Sequence, residues 1–306
     1  KNKKTNLFKQ NKNFNQTYLF YLYHLWISYS RKVSINKTRR KFAELMEALI
    51  DTYNEYSGRF YTNADKRLDS FPLMNSWWSS LLIILSYLMA IKLGCRFMKN
   101  RPPFEVRKLM VFYNCFMVVV SLLLVVLVGY HYVIDNGNMY CWRVDYSYKG
   151  YPFTNAAIGW FFYISKLFEL TDSFFFVIRK KFHLLSFLHI FHHAAMPLSI
   201  WFGIKFASGG SHSFYPFINS FVHVLMYTYY ALAALGPEYT KYLWWKRYMT
   251  QIQMTQFVLL VIHSAVNLAS FCDTFRVFTW VILCYGILFF LLFLNFYIKA
   301  YKKKET

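Results

Sequence analysis

The sequence is short of charge, and shorter still of acid: 16% of its 306 residues are charged, and 14 Asp and Glu stand against 35 Lys and Arg. A soluble chain of this length needs more charge to solvate its surface. Cysteine is scarce as well, and the five present are scattered without a C-x-x-C or any other zinc-ligand spacing, which excludes a structural zinc module. The internal repeats that many transporters carry are missing too. Hydrocarbon takes the place of charge. Hydrophobic residues make up 57% of the chain and aromatic residues 22%, the mean hydropathy is +0.24, and the apolar residues gather in runs near twenty residues long. Such runs read as an all-α polytopic membrane protein, because a helix of about 20 residues crosses a bilayer with every backbone group satisfied. The formal charge of +21 is no nucleic-acid signature. Residues 1–45 carry +10 of it, from eleven Lys and Arg against one Glu, and the remaining +11 clusters at the ends of apolar runs.

Seven spans are predicted, near residues 75–95, 109–130, 155–177, 184–204, 214–235, 248–269 and 278–299. Lys and Arg crowd the first, third and fifth loops: Lys99, Arg101, Arg107 and Lys108; then Arg179, Lys180 and Lys181; then Lys241, Lys246 and Arg247. With Lys302, Lys303 and Lys304 in the tail, this asymmetry puts the C-terminus in the cytosol and the N-terminus in the lumen. Lys303 and Lys304 stand fourth and third from the end, and resemble the dilysine signal that retains membrane proteins in the endoplasmic reticulum. Residues 1–45 are basic and aromatic, carry sequons at Asn15 and Asn36, and precede Met46-Glu47-Ala48-Leu49, which reads like a protein start. They are expected to be translated upstream sequence, followed by a lumenal region at 46–74, the helical domain at 75–301 and a cytosolic tail at 302–306. Under this topology Cys141 and Cys272 both lie in lumenal loops, an oxidising compartment, and a disulfide between them is expected.

Polar residues recur where a membrane helix would exclude them. Lys166, Glu169 and Asp172 are spaced by three on the third span, and His189, His192 and His193 fall at i, i+3 and i+4 on the fourth. Asn219, His223, Met226, Tyr227 and Tyr230 share a face of the fifth, and Thr250, Gln253 and Gln256 a face of the sixth. Single Asn, Gln or Tyr residues in such helices more often glue helices together, and Met226 reads as packing. At 1.5 Å per residue, however, His192 lies roughly 16 Å past Lys181 and His223 roughly 20 Å before Gly236, so the stripes meet near one depth. Ionisable groups placed there usually face a polar interior where they act chemically.

These residues resemble the motifs of the very-long-chain fatty acid elongases, the 3-oxoacyl-CoA synthases of the endoplasmic reticulum. HIFHH (189–193) is similar to that family's HxxHH box, KLFELTDS (166–173) to KxxExxDT with Ser173 in place of Thr, NSFVHVLMYTYY (219–230) to NxxxHxxMYxYY, and TQIQMTQ (250–256) to TxxQxxQ. Further likeness in DKRLDSFPLM, MKNRPPF, KYLWWKRYMT and LFLNFYIKAYKKK extends the match over residues 64–304. The resemblance implies seven transmembrane helices, six of them around a narrow acyl tunnel, and condensation of a long-chain acyl-CoA with malonyl-CoA to a 3-oxoacyl-CoA, CO2 and CoA. No cofactor is implied. The partners implied are the two CoA substrates and membrane lipid, with a second copy of the chain and the other enzymes of the elongation cycle as candidates.

The residues fit that chemistry. Arg179, Lys180, Lys181, Lys246 and Arg247 would form a basic cytosolic mouth for the CoA anions. No cysteine lies in the polar cluster, so the acyl acceptor is expected to be an imidazole, whose neutral form has a ring nitrogen free to attack a thioester. The resemblance points to His192 as the residue acylated. His189 and His193 are assigned to orientation and proton handling, His223 to the second substrate or its enolate, and Glu169 or Asp172 to fixing an imidazole tautomer. Lys166, Asn219, Tyr227, Tyr230, Gln253 and Gln256 complete the expected substrate contacts. Two other classes were weighed. A di-iron desaturase or hydroxylase needs many ligands, yet outside the box only His223 shares its depth; His131, His212 and His263 fall toward the lumen and His183 in the basic turn. A seven-helix receptor or transporter has no evident need for clustered histidines beside paired acids.

Overall fold

A computed structural model describes residues 37–134, 141–270 and 275–302. The chain divides into two compact units, residues 1–63 and 64–306. In the first, helix α1 (Lys37–Thr62) runs unbroken through Met46. The sequons at Asn15 and Asn36, Cys272 and the Lys303-Lys304 tail lie outside the described residues.

Helices are the regular elements of the second unit among its described residues, the long ones being α2 (Trp77–Met98), α3 (Arg107–Ile134), α4 (Tyr151–Glu169), α5 (Thr171–Ile178), α6 (Phe187–Ala207), α7 (Phe214–Leu235), α8 (Lys246–Ala269) and α9 (Arg276–Tyr297). Six of these, α2, α3, α6, α7, α8 and α9, are long and apolar enough to cross a membrane. Their outer faces are hydrocarbon. On α2, Leu82, Leu85, Met89, Leu93 and Phe97 are exposed, while Ser80, Ile84, Tyr87 and Ile91 form the buried stripe three and four residues apart. In water that outer face would be a liability, whereas in lipid it costs nothing.

The expected span at 155–177 is divided. α4 and α5 meet at Leu170, whose N–H bonds the carbonyl of Leu167 at 3.3 Å in a tighter turn. The adjacent carbonyl, that of Phe168, accepts the Tyr113 hydroxyl at 3.1 Å. A side-chain hydroxyl bonded to a helix carbonyl is one of the local features that accompany such irregularities.

Helix contacts within this unit close a ring in the order α3, α7, α8, α9, α6, α4 and back to α3, with α2 outside it on α5 and α6. The α3–α7 pair is the most extensive. Between lipid-facing helices apolar burial gives little drive, so close packing and interhelical hydrogen bonds, about 0.6 kcal/mol each, hold the ring. Ser80 with Tyr163 (2.7 Å) ties α2 to α4, and Gly94 lets α2 approach Val177 of α5. One end of the ring is knitted by residues 64–74. The buried Arg67 guanidinium bonds the Asp65 carboxylate at 2.6 to 3.1 Å and the carbonyls of Asp145, Pro152 and Ser208, and Lys205 pairs with Asp69 at 2.7 Å. Each buried cation therefore has its oxygens, the condition for tolerating it.

Candidate functional site

The histidine box opens α6. Ser186 caps that helix, accepting the backbone N–H of His189 at 3.3 Å, and so fixes where the first turn begins. The turn sets the i, i+3 and i+4 imidazoles on one side. The rings of His189 and His193 lie 4.2 Å apart, those of His192 and His193 5.5 Å apart, and all three are half-buried rather than sealed. Four residues past His193 stands Pro197, which has no N–H to offer the His193 carbonyl, leaving that oxygen without its helical partner.

The acids and amides expected from the sequence separate into two sets. Lys166 donates to Glu169 Oε1 and to Asn219 Oδ1, both at 2.6 Å, and His223 Nδ1 stands 3.0 Å from the same Glu169 oxygen. That last contact is close, yet His223 Nδ1 makes no hydrogen bond in this arrangement. Asp172 belongs to the second set. It accepts the Tyr227 hydroxyl at 2.9 Å, and the Tyr227 ring meets Tyr113 edge-on at 6.1 Å and Tyr230 at 6.0 Å. Ser173, beside Asp172, bonds His189 Nε2 and the Tyr87 hydroxyl, both at 2.8 Å. Helices α2, α4, α5, α6 and α7 thus all contribute polar atoms to one interior. Among the described residues no three His, Cys, Asp or Glu side chains converge as a metal-ligand set.

The remaining expected residues are placed less uniformly. Gln253 donates to the Met226 sulfur at 3.4 Å, and Gln256 is buried with its side-chain oxygen unpartnered. Arg179 reaches the Met110 sulfur at 3.3 Å, and Lys180 donates to the carbonyls of Lys99 and Arg101 at 3.0 Å each, so both hold the loop that carries them. Arg247 bonds the Tyr297 hydroxyl at 2.7 Å. Lys181 and Lys246 are exposed. Cys141 is disulfide-bonded, whereas Cys95, Cys115 and Cys284 carry free thiols.

From His192 a narrow cavity, with about 40 Å³ of open space, extends between α6, α7, α8 and α9. His192 and Asn219 supply polar groups, and Met196, Ile200, Leu260, Ile282 and Phe289 are among its apolar walls. The His192 ring meets Phe289 edge-on at 5.0 Å. Ser199 donates to the Tyr285 hydroxyl at 2.9 Å across the α6–α9 seam. Sequence reasoning missed Tyr87, Tyr113, Ser199, Tyr285 and Phe289. Each is a lone polar or aromatic residue on an apolar helix, and no spacing marks it.

Comparison with known proteins finds one family along the chain. Residues 72–306 match the model of the ELO family, described as the GNS1/SUR4 family. The chain is 40% identical over 262 residues to very long chain fatty acid elongase 7 of Drosophila melanogaster, covering 85% of this chain and 80% of that one. It is 41% identical over 265 residues to human very long chain fatty acid elongase 4, covering 84% and 82%. Against the rat elongase 7 it is 42% identical over 258 residues, covering 81% and 90%.

Proposed function

Because this chain belongs to the ELO family of very long chain fatty acid elongases, we propose that its histidine box carries a covalent acyl-imidazole at His192. The protein is a 3-oxoacyl-CoA synthase: it condenses an acyl-CoA with malonyl-CoA, the first step of fatty acid elongation. A nitrogen of His192 attacks the thioester carbonyl, the C–S bond breaks, and CoA leaves as its thiol with a proton passed through the neighbouring imidazoles. Malonyl-CoA then loses CO2, and its enolate carbon attacks the acyl-imidazole carbonyl. The C–N bond breaks, 3-oxoacyl-CoA forms, and the departing His192 nitrogen takes up one proton from solvent through the same imidazoles, which regenerates the neutral ring. The observation that carries this reading is the position of His192, the one box residue lining the apolar cavity.

Roles for the neighbours follow from what each touches. His189, bonded to Ser173, holds the box in orientation, with His193 stacked on it as proton carrier. Glu169 is paired with His223, which supports assigning that carboxylate, rather than Asp172, to the imidazole that faces the enolate. Lys166 and Asn219 position the acyl carbonyl; Tyr227, Tyr230, Gln253 and Gln256 line the approach of the malonyl group. No resident metal or cofactor is required by these steps.

The ring of six helices is the acyl tunnel, loaded when flexible side chains, Met196 first, swing aside. α4 and α5 together make the seventh crossing, outside which α2 packs. With an odd number of crossings the N-terminus is lumenal and the C-terminus cytosolic, in the endoplasmic reticulum membrane, and Arg179, Lys180, Lys181, Lys246 and Arg247 rim the cytosolic mouth. A second copy of the chain and the other enzymes of the cycle are partners of this membrane face. Reconstituted protein should form 3-oxoacyl-CoA only when both CoA substrates are supplied; product formed without malonyl-CoA would overturn the reading.

A further inference from the structure

Two buried hydroxyls stand in line behind the histidine box. The Tyr87 phenol reaches in from α2, the helix outside the ring, and meets Ser173 Oγ on α5 at 2.8 Å; the same Oγ meets His189 Nε2, at the first imidazole of the box, at 2.8 Å. Ser173 is fully buried and Tyr87 is 3% exposed, within an apolar cluster that includes Ile91, Met98, Leu170 and Val177. Among the described residues the Tyr87 hydroxyl has no hydrogen-bond partner besides Ser173, and Ser173 Oγ has none besides these two. That leaves the protons few ways to lie. A proton on Nε2 would be donated to Ser173, and then either the Ser173 or the Tyr87 proton would point into hydrocarbon without an acceptor, a cost that buried groups rarely bear. With Nε2 bare, Tyr87 donates to Ser173, Ser173 donates to Nε2, and every proton in the line is used.

We propose that Tyr87, acting through Ser173, fixes His189 as the tautomer with its proton on Nδ1, and so makes the outer helix a positioning element of the catalytic box. The inference rests on the condensation reading of that box. Its chemical consequence is specific. With Nδ1 protonated and the Nε2 lone pair taken by Ser173, His189 has no nitrogen free to attack a thioester or to accept a proton. It stays a neutral donor beside His193, whose ring centre is 4.2 Å away, and leaves acylation to His192 and proton transfer to the imidazoles without such a partner. A second cation so near His193 would oppose the charge which that ring carries while it passes a proton. Tyr87 is a positioning residue rather than a catalytic one, since two hydrogen bonds separate it from the imidazole it sets.

The test reads the tautomer itself. Full-length protein carrying isotope-labelled histidine is placed in lipid nanodiscs, and its ring nitrogens are observed by solid-state NMR, which separates protonated from bare nitrogens; the His189 signals are those lost in His189→Gln. The wild type at neutral pH should show Nδ1 protonated and Nε2 bare and hydrogen-bonded. Tyr87→Phe, which keeps the ring, and Ser173→Ala should each give a mixture of tautomers, while Ser173→Thr, which keeps the hydroxyl, should hold the wild-type one. By analogy with the orienting partners of metal-bound imidazoles, Ser173→Ala should lower kcat by roughly 10- to 100-fold and Tyr87→Phe by a smaller factor, with KM for acyl-CoA unchanged. The double variant should be no slower than Ser173→Ala alone, because both changes act on one hydrogen bond. A proton on Nε2 in the wild type, an unchanged tautomer in Tyr87→Phe, or losses that multiply in the double variant overturns the proposal; the first of these needs no variant to fold. Absence of malonyl-CoA-dependent product from wild-type protein that shows the expected tautomer would instead strike at the condensation reading itself.

Discussion

One oxygen of Glu169 is shared between two partners on different helices: Oε1 lies 2.6 Å from the Lys166 ammonium, on its own helix, and 3.0 Å from Nδ1 of His223, on α7. The carboxylate therefore balances a buried cation and stands against an imidazole at once. Glu169→Gln keeps the shape and removes the charge. Loss of positioned acid–base function costs typically 10²- to 10⁴-fold, and kcat for condensation should fall by that order while the protein still inserts and binds acyl-CoA. Near-wild-type turnover would detach Glu169 from the chemistry.

Asp172 depends on a different helix for its partner, Tyr227 at 2.9 Å. Tyr227→Phe removes the donor and leaves the ring. A buried acceptor stripped of its hydrogen bond costs about 1–3 kcal/mol, so the variant should unfold at a lower temperature in detergent. Its turnover should suffer less than that of Glu169→Gln, because Tyr227 reaches no imidazole by a hydrogen bond. An unchanged unfolding temperature would show that the pair contributes no net stability.

The basic rim separates in the same way. Lys180 spends its ammonium on the carbonyls of Lys99 and Arg101, whereas Lys181 and Lys246 are exposed. Replacing Lys181 and Lys246 together with Ala should raise KM for malonyl-CoA, leave kcat unchanged and flatten the dependence of KM on salt, since exposed charges act through a screened field. A fall in kcat at constant KM would place them at the reacting groups instead.

How far the fold could be read from the sequence depended on where the determining contact lies. The histidine stripe is local: the i, i+3, i+4 spacing and the Ser186 cap are visible in eight consecutive residues, and α6 carries them as expected. The break at Leu170 is not local. It coincides with a hydroxyl from Tyr113, 55 residues away, bonding the Phe168 carbonyl, and an uninterrupted apolar run gives no sign of that. The same limit hid Phe289 and Phe278, ordinary aromatics in an apolar helix until the ring closes and sets them against His192 and Gly203. The convergence of polar stripes was legible because lipid excludes charge. Which acid serves which histidine was not, because Glu169 and Asp172 differ only in which turn of one α7 face they meet, His223 for the first and Tyr227 for the second.

Cys141 is bonded in a disulfide, and three of the other cysteines are free. The expected topology makes Cys272 its partner. Digestion under non-reducing conditions should yield one linked peptide pair containing Cys141 and Cys272, released by reductant. Recovery of Cys272 as a free thiol from native protein would contradict the pairing and, with it, the lumenal assignment of that loop.

The covalent step is the centre of the account, and it is accessible with acyl-CoA alone. Wild-type protein mixed with acyl-CoA and no malonyl-CoA should release free CoA in a single-turnover burst, and the peptide containing His192 should gain the mass of the acyl group. His192→Ala should give neither burst nor adduct. If His192→Ala still acquires the acyl mass, the nucleophile is another residue and the assignment of the cavity's polar end is wrong.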